Sequence, residues 1–176
     1  MSDMQRIVII GSSSSGKTTL AKILSKKLSL EHKELDFFYW EPNWTEAKTD
    51  DFRNRVMPFV QNERWITDGN FSQVRDLVWG RATNIIWLDY PFHIVMKQFF
   101  KRSIIRSIRR EELWNGNRET LWNSILRPQS LLVWILKTYK RNKKRFSALL
   151  QSEEFPHVKY LHLKHPKETK KFLDTF

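Results

Sequence analysis

Eight residues near the start of the chain have the types and spacing needed to hold a phosphate. Gly11-Ser12-Ser13-Ser14-Ser15-Gly16-Lys17-Thr18 fits the pattern G-x-x-x-x-G-K-[ST] at every position. In such a loop the glycines let the backbone wrap with its N–H groups turned inward at phosphate oxygens. The helix that follows presents its positive end to the same anion. Lys17 then reaches the β- and γ-phosphates, and the Thr18 hydroxyl ligates magnesium. The segment therefore predicts a nucleoside triphosphate site built from Gly11, Ser12, Ser14, Ser15, Gly16, Lys17, Thr18 and Thr19, using ATP with Mg2+.

Phosphoryl transfer also needs a carboxylate near the metal and a group that handles the acceptor. Asp68, in Trp65-Ile66-Thr67-Asp68-Gly69-Asn70, ends an apolar run and is placed to bind magnesium beside Thr18. Asp36 follows a second short run, where it would orient or deprotonate an acceptor hydroxyl. Asp89 competes with Asp68 for the metal, or simply caps the helix that begins near Pro91. Arg102, Arg106 and Arg109 recur at helical spacing on one face and suit a lid that folds over the transferring phosphoryl group. Glu111, Glu112 and Glu119 are possible partners for these arginines when the site is empty.

The elements that must position these groups alternate short apolar runs with longer amphipathic ones, the pattern of βα units around a parallel sheet. Strands are expected at 7–10, 33–35, 64–67, 84–88 and 158–163. Helices are expected at 17–28, 45–61, 72–79, from Pro91 to about Arg110, at 130–150 and after Pro166. Pro58 predicts a kink or an early stop in the second helix. The stretch 111–127 is polar and is the expected mobile element. In open parallel sheets ligands bind at the carboxyl ends of strands, where the motif residues fall.

At 176 residues with a 40% hydrophobic fraction the chain makes one packed domain, with a lid-like insertion at about 102–128. The absence of cysteine excludes disulfides, thiolate metal sites and a cysteine nucleophile. The five histidines show no metal spacing and read as structural or surface residues. The N-terminal residues run straight into a strand, far short of a signal peptide, and no apolar run approaches membrane-spanning length. A cytoplasmic protein with no membrane partner is the expectation. The net charge of +12 is concentrated between Lys97 and Arg145, with fourteen Lys/Arg against three Glu. That region suits polyanionic ligands, nucleic acid included. Of the eight tryptophans, Trp87 and Trp134 lie in apolar runs and read as core or pocket walls, whereas Trp40, Trp44 and Trp114 lie near the proposed ligand loops.

Taken in order, these segments resemble adenylate-kinase-related P-loop proteins often labelled DNA topology modulation proteins. The resemblance rests on the phosphate loop, Leu35-Asp36, Asp68-Gly69-Asn70-Phe71, Trp87-Leu88-Asp89-Tyr90-Pro91 and the pair Arg102 and Arg106. Gly116-Asn117-Arg118-Glu119 and the segment from Trp134 to Arg141 extend it over nearly the whole chain. It implies an α/β fold of the P-loop NTPase type: three α/β/α layers, a five-stranded parallel sheet in the nucleoside monophosphate kinase order, and a short helical lid. It also implies that His165 and Pro166 lie near the adenine. Two departures stand out. Adenylate kinases carry Asp-Gly-Phe-Pro-Arg after the third strand, and here no arginine follows Asp68 until Arg75. Ser14 stands where that group usually has glycine, at little cost if its φ is negative. The leading expectation is a small ATP-dependent kinase of unspecified acceptor. The alternatives are a nucleic-acid-binding regulator with an NTP switch and a polynucleotide 5′-hydroxyl kinase.

Overall fold

The computed structural model describes residues 4–109, 111–128, 130–152 and 154–176. A parallel sheet whose three central strands are apolar and buried forms the centre of the fold. β1 (Arg6–Gly11), β2 (Glu31–Glu34), β5 (Trp65–Asp68), β6 (Asn84–Leu88) and β7 (Lys159–Leu163) make a parallel sheet in the order β2-β5-β1-β6-β7. Alternation along the strands divides the core in two. Val8, Ile10, Trp65, Ile85 and Trp87 face one layer, while Ile7, Ile9, Ile66, Ile86 and Leu88 face the other. α1 (Lys17–Leu28), α5 (Phe92–Arg109) and α7 (Pro166–Leu173) cover the second face. α3 (Thr49–Gln61) and α4 (Arg75–Arg81) cover the first. α6 (Leu131–Gln151) serves both layers, with Ile135 on one side and Phe146 on the other.

These elements follow the sequence pattern with instructive shifts. The second strand ends at Glu34, and Leu35–Tyr39 turns at once into a short helix, α2, so Asp36 lies in a first helical turn. Residues expected to open the helix at 45 instead form a hairpin. β3 (Trp40–Glu41) and β4 (Thr45–Glu46) pair around a Pro42–Trp44 turn whose Asn43 and Trp44 both adopt positive φ. Pro58 does not stop α3, which continues to Gln61. Pro58 and Asn54, the residue one turn earlier whose carbonyl it cannot pair, are both exposed, so water can take that carbonyl. Ser72–Val74 is a 3-10 turn leading into α4 rather than part of it. Pro91 sits at the start of α5, its carbonyl accepting from the Ile94 and Val95 amides. Ser130 caps α6 by accepting from Val133 N–H at 3.4 Å. Arg110, expected at the end of the arginine helix, lies outside the described residues.

The polar stretch after α5 is built from short pieces: a bridge between Glu112 and Arg118, a 3-10 turn at Trp114–Gly116, and a five-residue π-helix at Trp122–Leu126. Its anchoring comes from asparagine. Asn117 Nδ2 donates to the carbonyls of Glu41 (2.9 Å) and Trp114 (2.8 Å), and its Oδ1 accepts from Trp44 N–H at 2.7 Å. Asn115 Nδ2 donates to the carbonyls of Trp40 and Phe37. The segment after α5 is thereby pinned to the β3–β4 hairpin. Among the described residues no helix is long and apolar enough to cross a membrane.

Phe52 on α3 is fully buried and meets the rings of Tyr39 (5.2 Å) and Phe71 (5.2 Å) edge-on, joining α2 to the loop after β5. Phe52→Ala is expected to destabilise the fold by about 3–5 kcal/mol in urea titration, since nothing adjacent can refill the space.

Candidate functional site

The phosphate loop runs from the end of β1 into α1, and its backbone is held open by specific contacts. Gly11 has φ +147, and a Cβ there would stand 2.5 Å from the Leu88 carbonyl oxygen on the neighbouring strand. Asn70, just past β5, grips the same residue from both sides. Its Oδ1 accepts from Gly11 N–H at 3.2 Å and its Nδ2 donates to the Gly11 carbonyl at 2.6 Å. Gly16, with φ +92, is the N-cap of α1. Ser14 does not meet the condition of a negative φ under which it would cost little. Its φ is +64, so a side chain occupies the left-handed region at a cost of about 1–2 kcal/mol. Among the described residues the buried hydroxyls of Ser14 and Ser15 find no hydrogen-bond partner. Ser12 contributes its carbonyl, which accepts from Ser15 N–H, and Thr19 is exposed in the first turn of α1.

Lys17 folds back over the loop, its Nζ donating to the Gly11 carbonyl at 3.1 Å and the Ser12 carbonyl at 3.0 Å. Burial pushes its ammonium below the ordinary lysine range. Asp68, Asp36 and Glu34 oppose that shift, and Arg102 adds to it. One cation thus senses three carboxylates and a guanidinium.

Thr18 Oγ1 donates to Asp68 Oδ2 at 2.8 Å and lies 3.3 Å from Glu34 Oε2. The other Asp68 oxygen meets His32 Nε2 at 2.8 Å, from the adjacent strand β2. Burial raises the Glu34 carboxyl above its ordinary value, and the nearby Asp68 carboxylate raises it further. Sequence reasoning missed both Glu34 and His32. The alternation His32, Glu34 on a strand paired with β5 is the signal that places both beside Asp68, and it needs the strand order to be read.

Asp36 opens toward the hairpin. Its Oδ1 accepts from Trp40 Nε1 at 3.1 Å, and among the described residues Oδ2 has no hydrogen bond. Desolvation raises its carboxyl to about 6 against the pull of Lys17, with Asp68 adding to the rise. Trp40, Trp44 and Trp114 stand edge to face in a row, at 5.5 and 6.1 Å between successive centroids. Trp134, expected in the core or a pocket wall, is 55% exposed, with the Arg141 guanidinium 6.0 Å over its ring.

Of the arginines on α5, Arg106 binds Glu119 at 2.9 Å and Arg102 lies 3.9 Å from it. The Ser103 and Ser124 hydroxyls donate to the same buried carboxylate. Burial favours the neutral acid at Glu119, but Arg102, Arg106 and Ser124 outweigh it and hold the carboxyl below its ordinary value. Arg102 Nε is buried with no partner. Glu111 adds a 3.7 Å contact to Arg106, whereas Glu112 pairs with Arg118. Arg109 is exposed in the last turn of α5. His165 caps α7 by accepting from Lys167 N–H at 3.1 Å, and Pro166 is the first residue of that helix. Among the described residues no hydrogen bond or ion pair joins Arg109, His165 or Pro166 to the phosphate loop. Asp89 is engaged elsewhere, by His162 at 3.1 Å and Lys143 at 3.0 Å.

The donors fit the groups that the loop implies. Orphaned Ser14 and Ser15 hydroxyls and a lysine satisfied only by backbone carbonyls suit phosphate oxygens. Thr18, Asp68 and Glu34 offer the hard oxygen ligands that Mg2+ prefers. Ser14→Gly would remove both a left-handed side chain and a buried unpaired hydroxyl. Against the entropy glycine adds to the unfolded chain, the free protein should gain about 0.5–1 kcal/mol, read by urea denaturation.

No known family model matches the chain. Over 104 residues it is 33% identical to the uncharacterized protein YqaC of Bacillus subtilis (strain 168), a stretch spanning 58% of each protein. Solved structures similar over nearly the full length include a shikimate kinase from Aquifex aeolicus vf5 (TM-score 0.54, 17% identity, 97% of this chain and 94% of that one). A gluconokinase from Sinorhizobium meliloti 1021 gives 0.54 at 13% identity, covering 98% and 89%. A sugar kinase from Janibacter sp. HTCC2649 gives 0.52 at 20% identity, covering 98% and 93%. With its strand order, these likenesses give the chain the P-loop kinase fold of the nucleoside monophosphate kinase-like type.

Proposed function

We propose that the chain is an ATP- and Mg2+-dependent phosphotransferase acting on a small acceptor hydroxyl. The observation that carries this reading is the convergence of Lys17, Thr18, Asp68, Glu34, Asp36 and Arg102 on one partly buried cluster at the carboxyl ends of β1, β2 and β5. Similarity to small-molecule kinases over nearly the whole chain supports it. The resemblance of its motifs to DNA topology modulation proteins is compatible with the same chemistry, since that label names a phenotype.

Each residue has a distinct task. The loop amides and the Ser14 and Ser15 hydroxyls hold phosphate oxygens, and Lys17 swings from the Gly11 and Ser12 carbonyls to the terminal phosphates. Thr18, Asp68 and Glu34 would hold the metal, with His32 and the strand pairing fixing the Asp68 carboxylate. Mg2+ supplies charge neutralisation between the phosphates when bound. Asp36, its Oδ1 tied to Trp40, uses Oδ2 to accept the proton of the acceptor hydroxyl. A carboxyl titrating near 6 is ionised at neutral pH yet more basic than an ordinary aspartate, which suits a general base. Arg102, braced by Glu119, directs its unpartnered Nε at the transferring group, and residues 111–119 close the site against the hairpin as a lid.

A second reading draws on α6, whose Lys140, Lys143 and Lys144 line an open groove of about 900 Å³ with Lys164. Such a groove suits nucleic acid, and this reading predicts oligonucleotide binding that weakens steeply with salt and is lost when those lysines become glutamine.

Lys17→Ala should abolish acceptor-dependent ATP consumption measured across sugars, nucleosides and nucleotides. Asp36→Asn should lower kcat by about 10²–10⁴-fold while leaving ATP binding intact. In the parent, kcat/KM should rise as pH passes about 6 and then level, because the base must be ionised. Stability should show the opposite trend. A carboxyl whose folded value lies above its ordinary 3.8 binds its proton more tightly in the folded state, so the parent loses stability as pH rises toward 6. Asp36→Asn should therefore gain on the parent over that window and keep a constant advantage above it, as read by thermal melts from pH 4 to pH 8. If all acceptors leave ATP consumption at the level of Lys17→Ala, the kinase reading fails.

A further inference from the structure

The apolar side chains that folding leaves in water are not scattered. Among the described residues five large apolar side chains are more than half exposed, Ile108, Trp122, Leu126, Trp134 and Leu136, and all five fall within 108–136. On α5 the exposed set runs back in four-residue steps through Ile108, Ile104 and Phe100, a stripe along the outer side of the helix. On the π-helix Trp122 and Leu126, 59% and 62% exposed, stand about one turn apart with buried Ser124 between them. Single exposures are ordinary, whereas a run of large ones on adjoining elements marks a surface that meets something.

Two observations set these side chains on a common surface. Ser103 of α5 and Ser124 of the π-helix both donate to the buried Glu119, at 3.3 and 2.8 Å, so the two elements are joined through their inward sides. Ile125 of the π-helix packs against the same core cluster that holds Val95 and Phe99 of α5. With those sides turned in, the stripe on α5 and the pair Trp122 and Leu126 are turned out.

The free charge around them has one sign. Lys97 and Lys101 lie three residues before Phe100 and Ile104, and so beside the stripe on the helix surface. Arg109 and Arg127 directly follow Ile108 and Leu126. All four cations are exposed, and among the described residues none makes an ion pair. The three acids of the region are already taken: Glu119 by Arg106 and Arg102, Glu111 by Arg106, and Glu112 by Arg118.

These charges choose among occupants. A second copy of this chain would set the same unpaired cations against their own kind, in a region with fourteen Lys/Arg against three Glu. Nucleic acid complements the charge, but its bases stack on aromatic rings, which leaves Ile104, Ile108 and Leu126 in water. A bilayer with anionic headgroups answers both features. Its phosphates meet the cations, and tryptophan, leucine and isoleucine enter the boundary between headgroups and acyl chains.

We propose that the outer face of α5 and the π-helix docks on an anionic lipid bilayer. Ile104, Ile108, Trp122 and Leu126 enter the interface, while Lys97 and Lys101 lay their methylene stems along it and keep their ammonium groups among the headgroups. No helix among the described residues is long and apolar enough to span a bilayer, and attachment at its surface needs none. The face uses none of Lys17, Thr18, Asp36 or Asp68, so it goes beyond the phosphotransferase reading and does not depend on it.

The test is co-sedimentation of the full chain with vesicles of phosphatidylcholine alone and of phosphatidylcholine carrying about one-quarter phosphatidylglycerol. The parent should bind the anionic vesicles, more weakly as salt rises, and should leave the neutral ones in solution. Lys97→Gln with Lys101→Gln should weaken binding by about tenfold or more. Trp122→Ala with Leu126→Ala, which removes no charge, should weaken it by about as much, and so should Ile104→Ser with Ile108→Ser on the other element. Lys26→Gln with Lys27→Gln is the control. Those lysines are exposed in the last turn of α1, just before β2 starts at the opposite, amino end of the sheet, and their loss should leave binding unchanged. Without vesicles every variant should melt close to the parent, because the replaced side chains already lie in water.

A parent that ignores anionic vesicles overturns the proposal, as does an equal loss in the α1 control. Binding that both apolar pairs leave unchanged also overturns it, since charge alone then accounts for the attraction and an oligonucleotide would serve as well. So does a dimer of the parent that the apolar variants split, which would make this face an interface between copies. Vesicle binding is read without ATP or an acceptor, so its result and that of the kinase reading are separate.

Discussion

One half-buried ammonium governs the carboxyl end of the sheet. Lys17 is the cation in closest balance with Asp68, Asp36 and Glu34; the parallel register of β2, β5 and β1 brings Glu34 and Asp68 together, and Asp36 follows in the first turn of α2. Register fixes this grouping. Glu34 pairs with Asp68 across β2 and β5, and Asp68 pairs with Ile9 of β1, two residues before the loop begins. Carboxylates at such separations repel, and the rise of both the Glu34 and Asp36 carboxyls reflects that repulsion added to burial. The hydrogen bonds of Thr18 and His32 to the two Asp68 oxygens fix one carboxylate as the best satisfied of the three. The ionic character of the site is thus set by strand order before any side chain is considered individually.

The second tier of organisation is a polar tether. The segment after α5 leaves Leu121, Trp122 and Leu126 exposed rather than packed in the core, and asparagine amides dock it onto the hairpin. Asn117 joins three backbone groups with one side chain, which ties the position of Glu119, two residues on, to the position of Trp44. Glu119 in turn receives two hydroxyls and braces Arg106 and Arg102. The row of Trp40, Trp44 and Trp114 runs beneath this tether. A polar docking of this sort opens at lower cost than a packed hydrophobic one, because water replaces each of its hydrogen bonds. Movement of residues 111–119 away from the hairpin therefore requires no loss of core.

Much of this was legible in the sequence because backbone constraint leaves marks. The phosphate loop announces itself through glycines that no other residue replaces at Gly11, and the apolar runs at β1, β5 and β6 are long enough to read as buried strands. The failures have a common physical origin. α2 and the β3–β4 hairpin are stabilised by Phe52, Phe71 and the asparagine tether, contacts far away in sequence, so local periodicity favoured a helix from residue 45. Trp134 sits in an apolar run but on the outward side of α6, and an apolar run alone does not say which residue faces out. The cost of Ser14 turns on the sign of its φ, which residue type alone does not give, and that φ is positive. Glu34 and His32 carry no motif of their own, and only the pairing of β2 with β5 brings them to Asp68.

The two ends of the sheet differ in how well their polar groups are satisfied, and that difference locates where binding energy is available. At the amino end, Thr83 accepts from the Gln5 and Arg6 amides, and Arg6 reaches the Arg81 carbonyl and Glu63, so a polar edge is closed by its own residues. At the carboxyl end, two serine hydroxyls and an arginine nitrogen are buried unpaired, and a serine is held in a left-handed conformation. A carboxyl there is driven up to about 6 and a lysine is driven down by burial. Folding alone cannot make such an arrangement favourable, since each group would be more stable in water or with a partner. The core on both sides of the sheet holds them in place, and on the proposed function a bound triphosphate with its metal would relieve them together. On that reading, part of the affinity for the ligand would be drawn from tension that folding has already placed at this edge, offset by the swing of Lys17 and the closing of residues 111–119.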